Sequence, residues 1–105
     1  MNIKILQLDS SNKEAESILF SRYDFAKKKY PNRDHLLKLY TVMYEIEDYI
    51  PVTMDKSISV ICEDIYYDFN MRRPEDFYGH SLSVSDIIKV DDRYFYVDSI
   101  GFKEV

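Results

Sequence analysis

Residues 57–69 read SISVICEDIYYDF, and the spacing of their apolar side chains decides the fold class. Ile58, Ile61, Cys62, Ile65, Tyr66 and Phe69 recur at the three- and four-residue intervals of one helical stripe. Glu63, Asp64 and Asp68 take the opposite face, and Asp55 or Ser57 is placed to cap the N-terminus. Cys62 falls on the apolar stripe, where a thiol behaves as a small core residue. A reactive thiol needs an exposed, electropositive setting that this helix does not offer.

Downstream of this helix the pattern turns to strands. Ile87 to Val90 and Tyr94 to Val97 flank Asp91, Asp92 and Arg93, a tight-turn signature. Gly101 interrupts the alternation before Phe102 to Val105, which can add a short last strand. Upstream, Ile3 to Leu8 (IKILQL) alternates as a first strand. Ala15, Ile18, Leu19, Tyr23, Ala26 and Tyr30 lie near helical spacing, with Ser10 or Ser11 as N-cap. The LFSRYDF segment within this stretch fits an extended run equally, leaving a shorter helix from about Ser21. Pro31 closes the segment, because the residue before a proline is pushed out of helical geometry.

PNRD reads as a turn and DYIPVTMDK, with Pro51 inside it, as a connection. Between them Leu36 to Glu47 has apolar residues on both alternating faces, which implies a strand covered on both sides or a central one. The element order β-α-β-α-β-β predicts one α+β domain over residues 1–105. The expected architecture is a mixed or antiparallel sheet with about two helices on one face and a C-terminal β-hairpin.

Composition narrows the function classes. The chain has 105 residues, 46% of them hydrophobic, enough to bury a core without cross-links. It has ten Tyr and no Trp; rings with a polar tip suit half-buried strand positions and interfaces. One cysteine excludes an internal disulfide and fits a reducing compartment. No apolar run approaches the roughly 20 residues of a membrane helix, and MNIKILQLDSS lacks the features of a signal peptide. A cytoplasmic, soluble protein is expected. Net charge is −5, whereas a direct nucleic-acid binder would be expected to be basic.

The charge is unevenly spread. Arg22, Lys27, Lys28, Lys29, Arg33 and Lys38 face only Asp24 and Asp34 in their stretch. Glu45, Glu47, Asp48, Asp55, Glu63, Asp64 and Asp68 face only Lys56 in theirs. Two solvated faces would explain this. So would an acidic surface that engages a basic partner, such as a nucleic-acid-binding protein.

An enzyme would have to use residues 74–86, PEDFYGHSLSVSD. His80 could serve as base, Asp76 or Asp86 as its orienter, and Ser81, Ser83 or Ser85 as nucleophile. The spacing argues otherwise: such triads assemble from distant segments, and GHSLS lacks the second glycine of a nucleophile elbow. An extended SLSVSD would put the three serines on one face and Leu82, Val84 and Asp86 on the other.

A zinc site would need His80 with Glu75, Asp76 or Asp86, and no metal motif is present. Two glycines cannot build a phosphate-cradling loop, so no cofactor is expected. Arg72 and Arg73 are read as helix-end caps or as partners of Asp76. The corner is best read as a connector. Pro74 stops the helix, Gly79 permits a tight backbone, and the serines with Glu75, Asp76 and Asp86 satisfy buried amides.

The same residues carry a family resemblance. Asp64 to Val105 resembles the YodL-like domain of Firmicutes and their mobile elements. The matching positions include Phe69, Asn70, Pro74, Glu75, Asp76, Phe77, Gly79 and the run Ser81 to Asp86. Tyr96, Asp98, Ser99, Gly101 and Phe102 continue it, and IKILQLD with FSRYDF is similar more loosely. His80 and the Lys27 to Lys29 run depart from the pattern.

The resemblance implies an accessory domain of phages and conjugative elements, and it brings no catalytic residue. The expected function is non-enzymatic protein binding, with inhibition of a host defence nuclease of the CRISPR or restriction type as the leading case. Glu47, Asp48, Glu63, Asp64 and Asp68 would supply the acidic contacts, with Tyr49 and Tyr67 as anchors. Modulation of a host cytoskeletal or metabolic protein, or a small metal-dependent or hydrolytic enzyme centred on His80, are the alternatives.

Overall fold

The computed structural model describes residues 1–50 and 57–105. The proposed connection around Pro51 and the alternative cap Asp55 lie outside the described residues. Five strands form one sheet: β1 (Ile3–Leu8), β2 (Tyr40–Ile46), β3 (Ile87–Val90), β4 (Arg93–Val97) and β5 (Phe102–Glu104). Their order is β2-β1-β3-β4-β5, and every neighbouring pair is antiparallel. The helices are α1 (Lys13–Glu16), α2 (Tyr23–Lys29), α3 (Arg33–Leu37) and α4 (Ile58–Met71).

The helices cover both faces of the sheet, not one. Ile3 and Ile5 of β1, Ile88 and Val90 of β3, and Phe95 and Val97 of β4 pack with Ile61, Cys62, Ile65 and Phe69 of α4. The alternate residues Leu6, Leu8, Ile87 and Tyr96 pack instead with Ala15, Ala26 and Leu36 of the three short helices. Successive strand residues point to opposite faces, so a sheet whose two residue sets are both apolar must be covered twice.

This two-sided burial belongs to β1, β3 and β4. The sequence pattern suggested it for Leu36 to Glu47, but β2 is an edge strand with mostly exposed or half-buried residues. A bulge opposite Ile5 and Leu6 lets Met43 slip out of register with β1.

Local chemistry explains why the helical segment at 14–30 is broken. Asn12, not a serine, caps α1 through Glu14 N–H at 2.9 Å. Phe20 then adopts φ 62°, a left-handed conformation that cannot continue a helix. Its N–H donates to Ser85 Oγ at 2.9 Å. α2 restarts at Tyr23, whose N–H is taken by Asp98 Oδ1 at 3.1 Å. The supposed PNRD turn opens α3, with Asn32 accepting from His35 N–H at 3.0 Å.

At α4, Ser57 is the N-cap. β3 and β4 are joined through Asp91 and Asp92, with Asp91 at φ 52°, a conformation that Asp tolerates better than most residues. Arg93 and Glu104 clamp β4 to β5 through two charge-assisted bonds of 2.8 and 2.7 Å.

Candidate functional site

The corner between α4 and β3 is built from backbone groups met by side chains. Asn70, in the last turn of α4, donates from Nδ2 to Leu82 O (3.1 Å) and accepts from Leu82 N–H at Oδ1 (2.7 Å). Leu82 is thereby held in the core beside Phe69 and Phe77. Asn70→Ala is expected to lower stability by about 2 kcal/mol, because two buried backbone groups lose partners together. Urea denaturation checks this; a loss under about 0.5 kcal/mol, the ordinary scatter of surface changes, would contradict the clamp.

Arg72 is the C-cap residue of α4, its N–H donating to Asp68 O at 2.8 Å, and Arg73 does not meet Asp76. The Arg73 guanidinium donates to Phe77 O and to Gly79 O and lies 4.9 Å from the Phe77 ring centroid. Asp76 is exposed and accepts from Tyr44 Oη at 2.8 Å. Pro74 O accepts from Phe77 N–H at 3.1 Å, and Glu75 is exposed. Gly79 is buried, and there is no room for a side chain on it. A Cβ there would stand 2.3 Å from Gln7 Oε1 and 2.7 Å from Phe77 Cε1.

The three serines do not share a face. Asp86 N–H donates to Ser83 O at 3.0 Å, a turn that replaces the extended run suggested by SLSVSD. Ser81 is exposed and Ser83 half-buried, while Ser85 is fully buried at φ 86°. Ser85 connects three segments: its Oγ accepts from Phe20 N–H, its O from Tyr40 Oη at 2.5 Å, and its N–H donates to Val97 O at 2.9 Å. Burial pushes the Tyr40 and Tyr96 phenols well above their ordinary range, so both act as neutral donors. Tyr96 Oη donates to Ser21 O at 2.7 Å.

Asp86 is fully buried. Its Oδ2 accepts from Ser83 N–H (2.9 Å) and Gln7 Nε2 (3.0 Å). Its Oδ1 has no hydrogen-bond partner and lies 3.8 Å from His80 Nε2. Removal from water raises the Asp86 carboxyl to about 6, offset in part by bonds from Ser83 and Gln7 and by the nearby imidazole.

His80 is exposed, with Nδ1 2.7 Å from Ser81 O. Ser83 Oγ donates to Ser81 O and Ser85 Oγ accepts from Phe20, so neither hydroxyl is turned onto the ring. His80 and Gln7 line a cavity of about 460 Å³ with Asp9, Thr41, Met43 and Tyr78. Among the described residues no group of three or more His, Cys, Asp or Glu is arranged to hold a metal ion. Burial pushes the Cys62 thiol up to about 12, a core setting and not a reactive one.

The acidic and tyrosine residues fall into separate places. Glu63 and Tyr67 are exposed on α4, and Asp64 and Asp68 are half-buried beside them. Tyr49 and Asp68 line one groove of about 290 Å³ between β2 and α4, together with Arg72. Glu63 borders another, about 280 Å³, against Val97 and Phe102. Glu47 and Asp48 are exposed just beyond β2, with Asp48 N–H bonded to Asn2 Oδ1 at 3.2 Å.

Sequence reasoning missed Gln7, 3% exposed, whose amide ties β1 to the corner. The signal was a polar residue on the same strand face as Ile3 and Ile5. It also missed Val60 and Met71, which are exposed on α4 with the expected anchor Tyr67.

Fold and corner together define a small α+β domain with an antiparallel sheet, held by a polar junction between α4 and β3. The model of the YodL-like domain family matches residues 2–105, and the chain belongs to that family. No curated protein and no solved structure matches the sequence. Among the described residues no helix is long and apolar enough to cross a membrane.

Proposed function

We propose that this chain is a non-enzymatic protein-binding module of a phage or mobile element that inhibits a host defence nuclease through an acidic surface. The observation that carries this reading is the outer face of α4. Val60, Tyr67 and Met71 are exposed there, Tyr67 at 53% and Met71 at 67%, while the inner face of the same helix is spent on the core. They follow helical spacing, with Glu63 and Asp64 between them. Exposed apolar side chains set among charges are the composition of an interface, and an aromatic anchor supplies affinity where acids supply orientation and encounter rate. A basic, nucleic-acid-binding nuclease complements that surface in charge.

The test is affinity capture from host lysate with identification by mass spectrometry, using wild type beside a Tyr67→Ala/Glu63→Lys double variant. Wild type is expected to enrich a CRISPR effector or restriction nuclease, and the variant to lose at least about tenfold of it, as for a truncated hot spot with a reversed charge. Equal recovery by both proteins would contradict the reading. Recovery of a cytoskeletal or metabolic protein, lost in the variant, would favour the second reading, a modulator of host physiology acting through the same helix.

A further inference from the structure

We propose that copies of this chain stack head to tail, with the lysine-bearing outer face of α2 in one copy seated on the acidic outer face of α4 in the next. The contact brings in a face that the nuclease reading leaves unused, and it forms in the pure protein.

The two faces lie on opposite sides of the sheet. Ala26 of α2 is buried among Leu6, Leu8, Ile87 and Tyr96, whereas α4 packs on the other set of strand residues. With Ala26 turned inward, the helical period turns Phe25 and Lys28 outward, with Lys27 and Lys29 to either side. All four are exposed, Phe25 at 50%. The amines of Lys27 and Lys29 approach the Tyr23 and Tyr30 rings at 5.9 and 6.0 Å. Among the described residues none of the three lysines is in an ion pair. Asp24, the one acid of α2, lies 3.9 Å from Arg22 instead.

The outer face of α4 is the counterpart. Glu63 and Tyr67, one turn apart, are exposed with Val60 and Met71 beside them. Among the described residues the Glu63 carboxylate makes no ion pair either. Each face therefore sets an exposed aromatic beside an uncompensated charge, and the two charges are opposite in sign. A basic protein suits α4 and is repelled by α2; a polyanion does the reverse. A second copy of this chain suits both.

Because α2 and α4 stand on opposite sides of one sheet, a two-fold pair cannot make both contacts at once. The contact is heterologous: every copy added leaves one free face of each kind, so growth continues past the dimer. Its size keeps it weak. The seven residues of α2 span roughly 10 Å, so the contact falls short of the roughly 1,200 Å² of a stable interface. A Kd on the order of 0.1 mM is expected.

The test is sedimentation velocity of the purified chain up to about 1 mM, at low salt and at about 0.5 M salt. Wild type is expected to grow past the dimer with concentration at low salt, and to associate at least about threefold more weakly at the higher salt, where charges are screened. Two variants, Phe25→Ala/Lys28→Ala and Tyr67→Ala/Glu63→Lys, alter only exposed side chains. Their circular dichroism should match wild type, while each alone loses at least about tenfold in self-association. Mixed, the first supplies an intact α4 face and the second an intact α2 face, and they should form a one-to-one dimer that grows no further.

The proposal is overturned if wild type stays monomeric at about 1 mM and low salt, if it stops at a dimer, or if the mixed variants associate no better than either alone. It is also overturned if heparin shifts the Phe25 and Lys28 NMR signals of a chain that stays monomeric, which would give the α2 face to a polyanion. No nuclease enters these measurements, so their failure is separate from any failure of the nuclease reading.

Discussion

Asp86→Ala is expected to destabilise the domain by roughly 3–5 kcal/mol, the largest single effect outside the apolar core. Two donors, Ser83 N–H and Gln7 Nε2, lose their shared acceptor at Oδ2, and each buried group left unpaired costs about 1–3 kcal/mol. Asp86→Asn keeps that acceptor and removes only the charge, so it separates the architectural role from the ionic one.

The sign of the pH effect follows from burial, which raises the carboxyl from its ordinary 3.8 to about 6. Between those values the folded chain holds a proton that the unfolded chain has released. This contribution to stability is complete below the unfolded pKa and is lost as pH rises through the folded one. His80, Tyr40 and Tyr96 are the titratable neighbours, and they are common to both proteins. The Asn variant should therefore gain on wild type by about 2–3 kcal/mol between roughly pH 4 and pH 7. Urea midpoints for both proteins across that range check it, and a difference that stays constant with pH would show that Asp86 does not titrate in the folded state.

Gly79→Ala is expected to cost about 3 kcal/mol, at the upper end of ordinary overpacking. The added methyl would overlap Gln7 Oε1 and the Phe77 ring, and neither is free to retreat. Gln7 is bonded through its amide nitrogen to His80 O and Asp86 Oδ2. Phe77 is buried, with Arg73 against its ring and Tyr44 and Phe69 at its edges. Thermal unfolding should show a lower Tm, and the NMR signal of the Gln7 side-chain amide should move. An unchanged Tm would mean that the corner is looser than its contacts imply.

The helix α4 was legible because one side of it meets a single apolar face, so burial alone sets its period. Ile3–Leu8 and the strands on either side of Asp91 were legible for the same reason at period two. What could not be read was which strand lies inside. Leu36 and Leu39 look like strand residues by composition, yet both are buried among the short helices, because Asn32 caps a helical turn that propensity alone does not mark. The break between α1 and α2 depends on Ser85, far away in sequence, taking the Phe20 N–H. No local pattern encodes that bond.

Pro74 and Gly79 mark the connector in the sequence, but the space at Gly79 is limited by Gln7 and Phe77 and not by a tight backbone. The cavity beside it was not readable, since it requires Gln7 of β1 and Thr41 of β2 to meet His80 across the sheet. The acidic residues were visible as a run, but only the fold shows that Glu63 and Tyr67 stand apart from Glu47 and Asp48.

The proposed division gives the corner the building of the domain and the outer face of α4 the contact with a partner. It is tested most directly by the Kd and association rate of the captured nuclease for wild type and for Tyr67→Ala/Glu63→Lys, at low and high salt. The variant is expected to bind at least about tenfold more weakly, and association with wild type is expected to slow as salt rises. The same affinity for both proteins, with association indifferent to salt, would contradict it.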